Sequence, residues 1–233
     1  MLEHSAMRLA TWNSQPGIAR NWETIKGFNA DILTVQECEP DTKVFVEGNA
    51  GWTCEWQVGR HQNGVAVLAR DTYRIEDVER SGRCYLSTIV GGPDGYRLRF
   101  VGFWAMTPTS PEDDYPQQAK ELIEWLPRDE LTTVLAGDFN ASSRNPQHVR
   151  NVASLGARGL VNAYDAFYEA PASYPGDHPT SYHQWDEARP HHMDYVFIPS
   201  NWRIEDVQIG TYADYSATKR SDHMPVTVVS SPP

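Results

Sequence analysis

The hydrophobic and polar residues of this chain recur with two periods, one typical of β-strands and one typical of α-helices. Short apolar runs predict strands at residues 7–13, 31–37, 52–58, 65–69, 75–79, 98–104, 134–140, 193–198 and 225–229. Helical spacing predicts helices at 18–28, 116–126 and 146–156, the last with Asn145 as its N-cap and Pro146 in its first position. Interspersed strands and amphipathic helices predict one layered α/β domain that spans residues 1–233.

The segment VLAGDFNAS shows how one of these strands ends. An apolar run leads into Gly137, and the polar residues Asp138 and Asn140 follow, with Phe139 between them. Because side chains alternate between the faces of a strand, Asp138 and Asn140 are expected on one side and Phe139 on the other. A plain turn is the alternative interpretation, since Asp, Asn and Ser are common turn residues. If the strand is buried on both faces, its polar end indicates the rim of a cleft.

Polar residues recur at the ends of several predicted strands. They are Asn13 in ATWN, Glu37 in TVQE, Asp138 and Asn140 in AGDFN, Asp194 in HHMDY, and Asp222 and His223 in SDHMP. Each one alone could be a turn or capping residue. Carboxylates gathered in one cleft repel each other and would bind protons unless a cation neutralised them. All-oxygen ligands favour a hard cation, with Mg²⁺ ahead of Mn²⁺ or Ca²⁺, rather than Zn²⁺.

Composition narrows the class of protein. The 233 residues include 20 Lys and Arg against 31 Asp and Glu, a formal net charge of −11, which disfavours a protein that holds nucleic acid through a broad basic surface. Three cysteines without CxxC spacing argue against a disulfide scaffold or a zinc knuckle and favour a reducing compartment. The N-terminal residues lack the apolar stretch of a signal peptide, and no apolar run is long enough to cross a bilayer. A cytoplasmic protein without a membrane span is therefore expected.

Taken in order, the motifs TWN, QE, GDFN, DY and SDH resemble those of the endonuclease/exonuclease/phosphatase superfamily, over residues 8–229. GDFN and SDH are each moderately specific, and the ordered set of motifs is a strong signature. The superfamily includes abasic-site endonucleases, pancreatic-type deoxyribonucleases, sphingomyelinases and inositol-polyphosphate phosphatases. The likeness is greatest to short bacterial members with a late segment similar to HHMDYVFIP. It implies a four-layer α/β/β/α sandwich, in which two packed mixed β-sheets are flanked by helices.

The resemblance also implies a metal site that takes Mg²⁺, with Mn²⁺ as a substitute. Glu37 would be the principal metal ligand, supported by Asn13 and Asp222 directly or through water. The metal would stabilise the charge that develops on the phosphate and on the leaving oxygen.

The catalytic residues implied by the resemblance are Asp138, Asn140, Asp194 and His223. Asp138 would orient or deprotonate the attacking water, and Asn140 would hold that water or a phosphate oxygen. His223 would contact the phosphate, while Asp194 fixes the tautomer of the imidazole and favours its charged form. The sequence leaves either Asp138 or His223 as the general base.

Three features depart from the superfamily pattern. Met106 stands where relatives place a His or Tyr that touches the phosphate, and Gln15 stands where several carry an acid. The loop TSPEDDYP carries acids at 112–114, where a nuclease would gain from Lys or Arg. His192, which lies two residues before Asp194, is the best candidate for a replacement phosphate contact, with packing as the alternative role.

These observations favour a metal-dependent hydrolase of phosphate esters that prefers a compact small molecule over long nucleic acid. A nuclease acting on DNA or RNA is the alternative within the same class, and an inactive binding protein with this fold is the alternative outside it. A Ser-His-Asp hydrolase built on Ser221 and His223 is disfavoured, because these near neighbours present a nucleophile poorly to its base and no GxSxG elbow occurs. Nothing in the sequence indicates an oligomeric state.

Overall fold

Fourteen strands, six α-helices and three short 3₁₀ helices make up the regular structure of the residues that the computed structural model describes, 5–15, 17–79, 82–169 and 178–233. The strands are β1 (Met7–Asn13), β2 (Ile32–Cys38), β3 (Trp52–Val58), β4 (Gly64–Arg70), β5 (Arg74–Glu79), β6 (Tyr85–Gly91), β7 (Arg97–Trp104), β8 (Thr132–Asp138), β9 (Leu160–Asn162), β10 (Ser181–Tyr182), β11 (Pro190–His191), β12 (Asp194–Pro199), β13 (Arg203–Ile209) and β14 (Val226–Ser231). The helices are α1 (Trp22–Gly27), α2 (Thr42–Glu47), α3 (Tyr115–Trp125), α4 (Pro146–Gly156), α5 (Ala163–Tyr168) and α6 (Tyr212–Tyr215). None of these described helices is long and apolar enough to cross a membrane.

Most of the strands form two six-stranded mixed sheets. The first has the strand order β13-β14-β1-β2-β4-β3, and the second has the order β5-β6-β7-β8-β12-β9. Each sheet contains a parallel pair, β1 with β2 and β7 with β8, so the carboxyl ends of the paired strands meet at one edge. The strands beside these pairs, β14 and β12, run antiparallel to β1 and β8. β10 and β11 form a small separate ribbon.

The two sheets pack face to face, and helices cover their outer faces. Leu9 and Val67 of the first sheet share a buried cluster with Phe100 of the second. At Gly102 the second sheet comes so close to the first that an added methyl group would collide with the Thr34 side chain. α1 and α2 pack on the outer face of the first sheet, and α3 and α4 on that of the second. The predicted α/β/β/α sandwich is thereby confirmed.

Most of the elements predicted from the sequence are present. The helices at 116–126 and 146–156 agree with the structure within one or two residues. The predicted helix 18–28 is wrong in its first turn, because α1 begins at Trp22 and Ile18 is buried in the turn before it. The prediction lacks the strands β6, β9, β10, β11 and β13 and the helices α2, α5 and α6. A bulge between Ile204 and Asp206 breaks the alternation in β13, and the centre of the short α2, Val-Phe-Val, has the composition of a strand.

Gly137 allows β8 to lie directly against β7 just before the polar end of the strand. A side-chain carbon at this position would overlap the carbonyl oxygen of Phe103, a backbone atom that cannot move aside. Asp138 follows at once, in register with Trp104 of β7 and with Asp194 of β12. The close approach of the two strands therefore fixes the point at which Asp138 leaves the sheet.

Candidate active site

Several of the predicted polar residues lie at the ends of neighbouring strands along one edge of the sandwich. Asn13 ends β1, Asp138 ends β8 and Asp194 begins β12. The side-chain amide of Asn13 donates hydrogen bonds to Glu37 Oε1 at 3.1 Å and to Asp138 Oδ2 at 3.0 Å. One amide nitrogen therefore joins two carboxylates that come from different sheets.

Asn140 holds both oxygens of Asp138. Its backbone N–H donates to Oδ1 at 2.8 Å and its Nδ2 to Oδ2 at 2.9 Å, while Nδ2 also donates to the carbonyl of Ala105 at 2.8 Å. The strand ends at Asp138, two residues earlier than predicted, because Asn140 adopts a left-handed conformation with φ of 45° and turns back towards the carboxylate. Phe139 is buried among other rings, so the expected separation of Phe139 from Asp138 and Asn140 is present.

His223 is held through its ring and its backbone. Its Nδ1–H donates to Asp194 Oδ2 at 2.9 Å, and its carbonyl accepts a hydrogen bond from the indole N–H of Trp12 at 2.9 Å. The hydroxyl of Ser221 accepts from the backbone N–H of His223 at 3.0 Å and donates to the carbonyl of Asn13 at 2.6 Å. Ser221 thus ties His223 to the end of β1, which is a structural role rather than that of a nucleophile.

Asp138, Asp194 and His223 form a compact buried cluster. Each offers one possible ligand atom, and these atoms all lie within 4.8 Å of one another. Asp194 Oδ1 is buried and has no hydrogen-bond partner among the described residues. Leaving a buried carboxylate oxygen unpaired is costly. The cluster is therefore suited to receive a further cation or hydrogen-bond donor.

Burial changes the protonation of this cluster. Burial raises the pKa of Asp138 to about 7, against the charge of His223, and the charge of Asp194 adds to the rise. Burial alone would lower the pKa of His223, but the carboxylates of Asp194, Asp138 and Asp222 outweigh it and raise that pKa well above its ordinary value. At neutral pH, His223 is therefore an imidazolium that is paired with Asp194.

Glu37 and Asp222 are the remaining acids of the predicted site, and both are partly exposed. At Glu37 a bulge interrupts the pairing of β2 with β4, and the residue has a φ of 60°. The bulge permits the side chain to reach Asn13. Asp222 Oδ1 accepts a hydrogen bond from Gln15 Nε2 at 2.7 Å, so a neutral donor stands beside Asp222.

The motif resemblance aligns Met106 with a His or Tyr of the superfamily. Its side chain is buried, its backbone N–H donates to Gln118 Oε1, and its carbonyl accepts from Gln118 Nε2, both at 2.8 Å. A thioether offers no hydrogen-bond donor to a phosphate. Gln118 is a supporting residue that the sequence does not reveal, because an amide on an amphipathic helix has the appearance of a surface residue.

The acidic loop adds less free negative charge than its composition suggests. Asp113 accepts hydrogen bonds from Thr109 and forms an ion pair with Arg83. Asp114 caps α3 by accepting from the backbone N–H of Gln117 at 2.9 Å. Two of the three acids in this loop therefore hold the loop and the helix in place.

Comparison with known proteins identifies the family. A sequence model of the Endonuclease/Exonuclease/phosphatase family matches residues 10–223, a range that contains all the motifs described above. The chain belongs to this family. Its members are metal-dependent phosphoesterases or nucleases, and thus hydrolytic enzymes. No curated protein matches the sequence.

Solved structures of family members share the fold at low sequence identity. The catalytic domain of human Nocturnin has 16% identity and a TM-score of 0.73, with 97% of this chain and 94% of that chain covered. TDP2 from D. rerio, complexed with a single-strand DNA product, has 14% identity and a TM-score of 0.74, with 97% and 99% covered. A mannosyl-6-phosphatase from Bacteroides thetaiotaomicron has 16% identity and a TM-score of 0.66, with 96% and 99% covered. At this identity the likeness shows the fold alone.

The residues that follow Asp138 and Asp194 belong to a buried aromatic cluster of this family member. The rings of Phe139 and Tyr195 lie 5.4 Å apart, and the His148 ring of α4 lies 5.0 Å from Tyr195. His148 is only 2% exposed, and its Nδ1 has no hydrogen-bond partner among the described residues. The core behind the two acids therefore contains a buried neutral imidazole.

His192, the candidate phosphate contact, lies in the same cluster. It is 1% exposed, its ring is 5.1 Å from that of Tyr195, and its Nδ1 is 3.0 Å from the carbonyl oxygen of His178. Burial lowers the pKa of His192 to about 4, which leaves the ring neutral. This is the position of a packing residue, and His192 has no part in the site proposed below.

His148→Leu should make the protein less sensitive to acid. Burial lowers the pKa of His148 from 6.5 to about 4, with a smaller contribution from His192. As the pH falls from about 6.5 towards 4, the unfolded chain therefore takes up a proton that the folded protein excludes, and about 2 kcal/mol of stability is lost by pH 5. Leucine has a similar volume and does not titrate. The decrease in the free energy of unfolding between about pH 7 and pH 5, measured by urea denaturation, should shrink by about that amount.

Val152→Ala, on the same helix, provides the control for lost packing. Val152 is partly buried against the core and has no titratable group, so this variant should lose the same stability at both pH values. An acid sensitivity in His148→Leu equal to that of the wild type would contradict the assignment.

Proposed function

We propose that the protein is a divalent-metal-dependent hydrolase of phosphate esters, acting as a phosphodiesterase or a phosphatase. The observation that carries this proposal is the shared edge at which Asn13 joins Glu37 to Asp138 while His223 is paired with Asp194. In a family of metal-dependent phosphoesterases, this arrangement supplies a group that activates water, a cation for the phosphate and oxygen ligands for a metal.

The donor set supports Mg²⁺ as the metal, with Mn²⁺ as a substitute. We assign Glu37 as the principal ligand, with Asp222 in support directly or through water. Asn13 would orient Glu37, because its amide nitrogen faces that carboxylate. Carboxylate oxygens are the ligands that a hard cation prefers, and Oδ1 of Asp194, which has no partner in the described part of the chain, adds to the need for positive charge. When bound, the metal would neutralise the charge that develops on the phosphate and the leaving oxygen.

We assign the activation of the attacking water to Asp138. Hydrogen bonds from Asn13 and Asn140 hold its carboxylate in one orientation, and its pKa of about 7 suits a base that works near neutral pH. The water would lose a proton to Asp138 as its oxygen bonds to phosphorus, and the bond from phosphorus to the leaving oxygen would break. Asn140 would hold the water through its side-chain oxygen Oδ1, because both N–H groups of Nδ2 already donate, one to Asp138 and one to Ala105.

We assign contact with the phosphate to His223. As an imidazolium it donates Nδ1–H to Asp194 and has a second N–H, on Nε2, for a phosphate oxygen. A positive charge at that point would stabilise the negative charge of the transition state. Asp194 would act as a positioning residue that fixes the ring and maintains its charge.

Glu37→Gln should abolish or strongly weaken Mg²⁺ binding. Removal of one negative ligand should lower the affinity at least about tenfold in a calorimetric titration, because affinity for hard cations follows the charge of the ligand set. Turnover of a chromogenic phosphodiester should fall with it, while circular dichroism shows the fold retained. Glu47→Gln removes the same charge from an exposed position on α2 and should leave the titration unchanged. Equal Mg²⁺ affinity in Glu37→Gln and the wild type would contradict the metal assignment.

Asp194→Asn and His223→Ala should not have additive effects. If Asp194 acts by orienting and charging His223, removal of either residue disables the same unit, and each single variant should lower kcat roughly 100-fold or more. The double variant should then be little slower than the slower single variant. Turnover of the same phosphodiester by the wild type, both single variants and the double variant measures this. Losses that multiply would show that the two residues act independently.

We further propose that the substrate is compact rather than a long polyanion. A net charge of −11 gives a repulsive background for nucleic acid. Proteins that grip duplex DNA do so through many basic contacts. Basic residues near the motifs of the site are scattered, and they include Arg144, Lys219 and Arg220. Nuclease activity on DNA or RNA is the competing function within the family.

Turnover of a short phosphodiester and of duplex DNA at two salt concentrations separates these functions. We expect efficient hydrolysis of the short ester with weak dependence on salt, and weak binding of the duplex. Phosphate neutralisation along a duplex makes binding fall steeply with salt. Tight, salt-sensitive binding of the duplex with efficient cleavage would identify a nuclease instead.

A further inference from the structure

A pocket of about 430 Å³ adjoins the candidate active site. It is lined by Asn140 and Arg144, by Tyr115 at the start of α3, and by His191 and Met193 from the segment before β12. Asn140 also donates to Asp138 Oδ2 at 2.9 Å. Asn140 therefore lines the pocket and also contacts Asp138, the residue to which we assign water activation.

The surroundings of the pocket are basic, unlike the protein as a whole. Burial, followed by the nearby basic groups His183, Arg144, Arg189 and His223, lowers the pKa of His191, and Arg144 itself lines the pocket. The rings of His183 and His191 lie 6.3 Å apart. In a chain with a net charge of −11, this local concentration of basic groups favours an anion at one point.

The rest of the lining suits a small organic molecule. Tyr115 and Met193 offer apolar surface beside the basic groups. Asp114, which precedes Tyr115, is engaged as the cap of α3 and accepts from a backbone N–H of that helix. The pocket thus combines an anion-binding side with a surface for a short carbon skeleton.

We propose that this pocket binds a second anionic group of the substrate, a phosphate or a carboxylate, carried on a short carbon skeleton. The inference rests on the proposed function, in which Asp138 and His223 act on the phosphate that is hydrolysed. Arg144 is the specificity-determining residue, because a guanidinium pairs with two oxygens of a phosphate or carboxylate at once. The substrate class is therefore a compact phosphate ester with two anionic groups.

The test compares two probes that cannot be hydrolysed, an alkylphosphonate and the alkane bisphosphonate of the same chain length. Calorimetric titration into the protein in excess Mg²⁺, with the heat of probe into buffer subtracted and several chain lengths tried, reports binding alone. The wild type should bind the best bisphosphonate at least about tenfold more tightly than its monophosphonate, a difference of about 1.4 kcal/mol. Arg144→Gln should remove most of this preference, and added salt should reduce it in the wild type.

Arg150→Gln is the matched control. Arg150 is an exposed arginine on α4 whose guanidinium donates to Gln147, and it does not line the pocket. This variant should keep the full preference for the bisphosphonate. Equal affinity of the wild type for the two probes, or an unchanged preference in Arg144→Gln, would overturn the inference.

The outcome can be separated from the fate of the proposed function. Hydrolysis of phosphate esters without any preference for the bisphosphonate would overturn the pocket assignment alone. A preference that depends on Arg144, in a protein that hydrolyses no phosphate ester, would support the pocket and overturn the proposed function.

Discussion

The geometry of the candidate active site depends on one amide, the side chain of Asn13. Its nitrogen donates to Glu37 from the first sheet and to Asp138 from the second, so two carboxylates that repel each other are held by a shared donor. This bridge exists because the sheets pack closely, with Gly102 lacking the side chain that would push Thr34 away. Sheet packing and site geometry are therefore a single constraint, and separating the sheets would separate the acids.

The candidate active site also contains carboxylates that are buried from solvent. Asp138 and Asp194 are fully buried, and His223 is the basic group in contact with Asp194. Burial disfavours the charged form of Asp138 and is the main cause of its raised pKa. The neighbouring carboxylates raise the pKa of Asp138 further and also raise that of His223. A cation bound beside them would lower both values, because it stabilises carboxylates and repels an imidazolium. This excess of negative charge thus supports metal binding independently of the sequence motifs.

The sequence predicts the strand ends of the site well, because the period of a strand and its polar end are local properties. Asn13 and Asp138 could therefore be predicted to lie at the rim of a sheet. The turn at Asn140 could not be predicted, because its left-handed backbone conformation accompanies a hydrogen bond to the carbonyl of Ala105, 35 residues earlier in the chain. The buried state of His192 and the support from Gln118 also depend on tertiary contacts. Proximity to a motif in sequence suggested a role for His192 that its packing among rings does not support.

The ribbon of β10 and β11, which carries His191, is bound to the segment that carries His223. The backbone N–H of Thr180 donates to the carbonyl of His191 at 2.8 Å, and Ser181 forms an isolated β-bridge with His223. Hydrogen bonds thereby connect His191 of the pocket to the segment that carries the His223 imidazolium. A substrate anchored by a second anionic group would present its ester phosphate at a fixed position relative to His223, which lowers the entropic cost of reaching the reactive geometry. An acidic protein can in this way select short substrates, because its few basic groups act at two fixed points rather than along a surface.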